Sequence, residues 1–147
     1  MTSKAEVITQ AVLTALTTPA MTTVPAARVY RDLQGALASA SLPAIAVETG
    51  DEDEAQRPVI GYKMRAVEIR VSVLAAASLG ASPYTAADAA VVESFNRLSA
   101  DPSLGGLAFE FDEGVTERAR EDAEKNIGSV TKTYRYQYRT TEASLEA

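Results

Sequence analysis

The chain contains no cysteine, no histidine and no tryptophan. Without cysteine there is no disulfide framework, no thiolate nucleophile and no cysteine-ligated zinc or iron–sulfur cluster. Without histidine, the Ser-His-Asp and Cys-His arrangements, the HExxH zinc site and most proton shuttles are out of reach. Glycine is sparse and badly placed for nucleotide binding: eight residues, never in GxGxxG spacing, and no GxxxxGK[ST] loop. Basic residues are outnumbered, 14 Lys and Arg against 20 Asp and Glu for a net charge of −6. An acidic balance opposes nucleic-acid binding by the usual displacement of counterions from phosphates. No apolar run approaches the length of a membrane span. No sequence period of the kind that marks repeat architectures is found. The opening residues Met1 to Glu6 lack the basic patch and apolar stretch of a signal peptide, so synthesis in the cytoplasm is expected. These absences lead to the expectation of a protein that is not an enzyme and carries no cofactor or metal.

What is present is material for one domain. At 147 residues a chain buries roughly 70% of the surface its unfolded form exposes. The expected domain covers residues 1–140, with a mobile tail over 141–147 that has little apolar matter to dock. Ser3 and Glu6 have capping-box spacing. Val7, Ile8, Ala11, Val12, Ala15 and Leu16 follow at three- and four-residue intervals, which predicts an amphipathic helix from Ser3 to Thr17, ended by Pro19. A second helix is predicted from the Thr85/Asp88 pair through Val91, Val92, Phe95 and Leu98, stopping before Asp101-Pro102. Residues 31–41 are small and Ala/Ser-rich, with Gly35 weakening any helix there.

Strand patterns lie between and after the helices: a short piece at Arg28-Val29-Tyr30, then Leu42 to Val47 with Pro43 at its start or on an edge. From Tyr62 to Ala75 the alternation is strict. Val67, Ile69, Val71 and Val73 point one way and Ala66, Glu68, Arg70 and Ser72 the other, which predicts one face on a core and one polar face. Leu107 to Phe111 reads as a strand, with Gly114 marking a bulge. Ser129 to Thr140 alternates again, placing Tyr134, Tyr136 and Tyr138 on one face. Such a ladder is expected to pack against helices with each hydroxyl reaching the rim for a hydrogen bond.

Charge is concentrated in two stretches. Asp51, Glu52, Asp53 and Glu54 are consecutive carboxylates that repel one another, so residues 49–58 are expected to form a solvated loop. An EF-hand reading fails, because the sixth and twelfth positions from Asp51 are Gln56 and Tyr62 rather than Gly and Glu. Residues 117–126 are equally charged and read as an exposed hairpin loop. The fold class expected from this order is α+β: a mixed, mainly antiparallel sheet of about four to five strands packed on two main helices.

The order of these patterns resembles the tail terminator (minor tail or tail-completion) proteins of long-tailed bacteriophages, the lambda type in particular. The residues that carry the likeness are the opening helix Val7 to Leu16, the short strand at Val29-Tyr30, and the segment Leu42-Pro43-Ala44-Ile45-Ala46-Val47. The alternating strand Val67 to Val73, the step Leu98-Ser99-Ala100-Asp101-Pro102-Ser103-Leu104 and the closing strand Thr131 to Tyr138 complete it. Residues 31–41 and 115–126 are longer than the family pattern. The resemblance implies a subunit that assembles with its own copies into a six-membered ring on the head-proximal end of a tail tube, in the neck of the virion. There it would stop tube growth and present a surface to a head–tail connector protein. On that basis the partner and subunit contacts are expected at Asp51, Glu52, Asp53, Glu54, Arg57, Glu68, Arg70, Arg135 and Arg139. Two other expectations compete: a neck or head-completion connector of similar topology, and a stand-alone α+β domain that binds a small ligand in an apolar pocket.

Overall fold

A computed structural model describes residues 2–33, 37, 39–59, 61–78, 80–122, 126–141 and 143–145. Gly35 lies outside the described residues, as do three positions of the terminal segment. The first helix, α1, runs Lys4–Thr17. Ser3 caps it as its spacing predicts, its hydroxyl accepting from the Glu6 N–H at 3.2 Å. The reciprocal half of the capping box is absent, because the Glu6 carboxylate turns instead to Arg31. A short strand, β1, spans Val29–Arg31, and two strands of 16 residues follow, β2 at Ala44–Val59 and β3 at Tyr62–Ala77. Helix α2 covers Pro83–Ala100 and is followed by β4 at Glu110–Asp122 and β5 at Asn126–Thr141.

The five strands form one sheet in the order β1-β2-β3-β5-β4. Only β1 and β2 are parallel; the other three pairings are antiparallel. The fold is therefore α+β with a mixed, mainly antiparallel sheet on two helices. Both helices share one side of it. The apolar stripe of α1 (Ile8, Val12, Leu16) and that of α2 (Ala87, Ala90, Leu98) join Val67, Ile69, Val71 and Val73 of β3 and Tyr134, Tyr136 and Tyr138 of β5 in a single core. The alternation of β3 is realised, with these four aliphatic residues at 0–1% exposure. Phe111 extends the aromatic layer, its ring 5.5 Å from Tyr134 and 5.1 Å from Tyr136.

Four expectations are corrected. Residues 51–54 are not a loop but the middle of β2. Successive side chains of a strand leave on opposite faces, so the alternation separates the carboxylates that a loop would have had to separate by solvation. Residues 117–122 likewise belong to β4. Helix α2 begins before the Thr85/Asp88 pair: Ser82 occupies the cap position without a side-chain hydrogen bond, and Pro83 opens the first turn, where its missing N–H costs nothing. Of the three tyrosine hydroxyls that of Tyr138 reaches the rim, donating to Glu52. That of Tyr136 is buried without a partner, and that of Tyr134 is buried beside Ser94 of α2 rather than at the rim.

The strands outrun the helices. Sixteen strand residues span about 53 Å at ~3.3 Å each, whereas α1 and α2 reach only about 21 and 27 Å at ~1.5 Å per residue. Glu52 and Glu54 pair with Val67 and Arg65 on the helix side of the sheet yet remain exposed. The helix layer does not extend over that end. Two polar clusters hold the layers together. Arg31 donates to both oxygens of Glu6 at 2.9 and 3.0 Å and to the Thr49 hydroxyl at 3.2 Å, and Thr49 in turn meets Thr9 at 2.8 Å. Glu93 of α2 accepts from both the backbone and the hydroxyls of Thr22 and Thr23, while Arg97 donates to the carbonyls of Pro19 and Ala20. The Leu145 carbonyl accepts from the Lys4 N–H at 3.0 Å, tying residues 143–145 to the start of α1. No described helix is long and apolar enough to cross a membrane.

Candidate functional site

The face of the sheet opposite the helices is the candidate surface. On β3 it presents Met64, Ala66, Glu68, Arg70, Ser72 and Leu74, the positions between the buried aliphatics. Cross-strand register brings Arg135 opposite Glu68, Thr133 opposite Arg70 and Thr131 opposite Ser72 on β5. Glu48 of β2 lies opposite Arg70, and Asp112 of β4 opposite Arg135. The result is a row of charges of alternating sign across four strands: Glu48, Arg70 and Glu68, Arg135, Asp112.

These side chains are already engaged with one another. Arg135 donates to the Asp53 carboxylate at 3.2 and 3.4 Å. The Arg70 guanidinium lies 3.9 Å from Glu68, and Ser72 meets Thr131 at 2.8 Å. Arg70 also lies across β2: a Cβ on Gly50 would come within 3.2 Å of its guanidinium carbon. Gly114 permits a second close approach, since a Cβ there would meet the Thr133 carbonyl at 3.1 Å. It marks the register shift between Glu113 and Thr116, the bulge its sequence position predicts. Next to that bulge a shallow hollow of about 310 Å³ opens, lined by Glu68, Arg70, Asp112, Val115, Thr133 and Arg135. Val115 is 65% exposed beside it.

Of the nine expected contact residues, the structure brings Asp53, Glu68, Arg70 and Arg135 into one cluster on this face. Arg139 stands on the same face near the β2–β3 turn, its guanidinium 5.5 Å from the ring of Tyr62. Glu52 and Glu54 point to the other side, Glu52 receiving the Tyr138 hydroxyl and Glu54 lying 3.9 Å from Lys63. Asp51 is exposed at the register shift between Thr49 and Glu52. Arg57 falls within β2, its side chain outside the described residues. Sequence reasoning missed Glu48 and Asp112. Their signal was available only through strand pairing, because each acquires its place from the residue across from it.

Paired charges on an exposed sheet contribute little stability, in the range of 0–1 kcal/mol each. Among the described residues no group of three or more acidic side chains is placed to hold a metal ion. No family model matches this chain, and no curated protein matches it.

Proposed function

We propose that this protein is a structural subunit of the tail terminator kind, which forms a ring through contacts between its own copies and caps the head-proximal end of a phage tail tube. The observation that carries the reading is the sheet itself: four long strands whose outer face, opposite both helices, bears charges in complementary rows among the described residues. A subunit of a ring needs two different patches that fit each other, because a head-to-tail contact repeated by rotation is what closes. A long sheet with two dissimilar edges and one open face provides several candidates for such patches. The order of elements, which resembles the terminator pattern from α1 to β5, supports the same conclusion. The lack of histidine and cysteine is in keeping with work done by surfaces.

The test is a native mass measurement of the purified chain, alone and with isolated tail tubes. The expected result is a closed oligomer, six copies by the resemblance, or a ring formed on contact with the tube. A chain that stays monomeric at every concentration and with tubes present overturns the reading. Disrupting the gene in the parent phage separates this role from that of a neck connector: overlong tails are expected, and tails of normal length without heads would assign the connector role instead.

A further inference from the structure

The sheet has two free edges, and their charges match. Among the described residues β1 covers β2 only at Ile45 to Val47, so β2 is unpaired on that side from Glu48 onward. At the opposite end of the strand order, β4 pairs with β5 on one side and, among the described residues, with no strand on the other. Free edges of this length invite another strand. Which strand they accept follows from register and charge.

With the axis anywhere in residues 117–120, β4 does not suit a second β4. In an antiparallel pair related by a two-fold axis, the residue on the axis faces its own copy and its neighbours face each other in reverse order. Centring on Glu117, Arg118 or Arg120 opposes like charges directly. Centring on Ala119 sets Arg118 against Arg120, and centring on Phe111 sets Glu110 against Asp112. Like charges directly opposite are destabilising.

β2 of another copy does fit. Successive strands β2, β3, β5 and β4 alternate in direction, so a neighbouring copy in the same orientation presents its β2 antiparallel to β4. Arg118 and Arg120 are two apart and lie on the helix side, Arg118 being opposite the buried Val130. Glu52 and Glu54 are also two apart and also on the helix side. Resting on the ring reading above, we infer that successive copies join by continuing the sheet, β4 of one against β2 of the next, with Arg118 opposite Glu54, Ala119 opposite Asp53 and Arg120 opposite Glu52. The join is staggered. Within one copy Glu52 is level with Phe111 through Val67 and Tyr136, so the joined strands step along one another and tilt, as strands of a closed barrel do. A level join would instead set Glu110 against Asp53. Glu121 meets β2 near Asp51, where the register shift already interrupts that strand's ladder. Arg120 now donates to Asn126 at 3.3 Å, and Glu54 lies 3.9 Å from Lys63. Glu52 accepts from the Tyr138 hydroxyl, so in the join it would take Arg120 as a second donor, which the second oxygen of a carboxylate allows.

The experiment is a charge exchange. One variant carries Arg118→Glu and Arg120→Glu, the other Glu52→Arg and Glu54→Arg, each read by native mass and light scattering. Each alone sets like charges across the join and is expected to associate at least tenfold more weakly than the natural chain, on the scale of a few surface charge pairs. Mixed in equal amounts, the two should recover association, because each then meets the opposite charge on both edges, and the ring should contain them alternately. Because the chain lacks cysteine, a second measurement avoids reversing any charge at the join's ion pairs: Ala119→Cys with Asp53→Cys in one chain should cross-link copies on oxidation, and Ala119→Cys with Glu48→Cys should not. A natural chain that forms rings, with both charge variants unimpaired and no cross-link between 53 and 119, overturns this inference and leaves the ring reading standing. A natural chain that never associates overturns the ring reading itself.

Discussion

The two faces of the sheet are made by the same strands and obey different rules. On β3, Val67, Ile69, Val71 and Val73 are at most 1% exposed under the helices, while Glu68, Arg70 and Ser72 between them stay half-buried on the open side. One face is held by volume, where each methylene is felt because the interior is close-packed. The other is held by pairs of charges and hydroxyls that water competes for. Stability is therefore concentrated on one side of a sheet one residue thick, which leaves the other side free to be specified by what it touches. The largest test of this contrast compares neighbours in sequence. Ile69→Ala should cost about 2–5 kcal/mol, and Glu68→Gln, one residue away, should stay within about 0.5 kcal/mol. Urea unfolding of the two variants measures both, and equal losses would erase the distinction between the faces.

A middle-sized effect concerns the carboxylates that tie the helices to the segments beside them. Hydrogen bonds from Arg31, then from Gln10, hold Glu6 down at about 2. Desolvation pushes Glu93 up, but hydrogen bonds from the backbone and hydroxyls of Thr22 and Thr23 outweigh it and bring it to about 2 as well. A carboxylate whose folded value lies below its unfolded one stabilises the fold fully above the unfolded value, ordinarily 4.5, and loses that contribution as pH falls through the folded value. Stability should therefore decline between about pH 4.5 and 2. Glu93→Gln, which turns a donor toward donors, should cost about 2 kcal/mol at neutral pH. Glu6→Gln, at a more exposed pair, should cost about 0.5–1 kcal/mol. Both variants should flatten the acid limb of a thermal-stability profile measured from pH 7 to 2, and an unchanged limb would show that these two carboxylates are not what acid breaks.

Much of the fold was legible in the sequence because periodicity reports burial. The α1 stripe, the β3 alternation and the tyrosine face of β5 each name their core residues directly. The acidic stretch at 51–54 misled because charge density was read as a loop signal. A strand that overhangs its helices tolerates charge on both faces, and nothing local distinguishes it from a loop; its partner strands do. The same holds for residues 117–122, where Arg118 and Arg120 gain meaning only once β4 is known to be an edge. The open-face cluster was half legible: Glu68, Arg70 and Arg135 from alternation, Glu48 and Asp112 only from register. Pairing across strands is long-range information, and a linear pattern does not contain it.

The smallest expected effect lies inside the core and probes where the two regimes meet. Tyr134, Tyr136 and Tyr138 share one face of β5, and burial raises all three phenols well above their ordinary value. They differ in what the hydroxyl finds. That of Tyr138 reaches the uncovered end and donates to Glu52. That of Tyr136 is buried with no partner. An unsatisfied buried hydroxyl has surrendered its water without compensation, so removing it should be neutral or stabilising, whereas removing a satisfied one forfeits a net bond of about 1 kcal/mol. Tyr136→Phe is accordingly expected to unfold at the same denaturant concentration as the natural chain or a higher one, and Tyr138→Phe at a lower one. If Tyr136→Phe were the more damaging of the two, the hydroxyl must be satisfied by buried water, and the core under α2 would be wetter than its side chains imply.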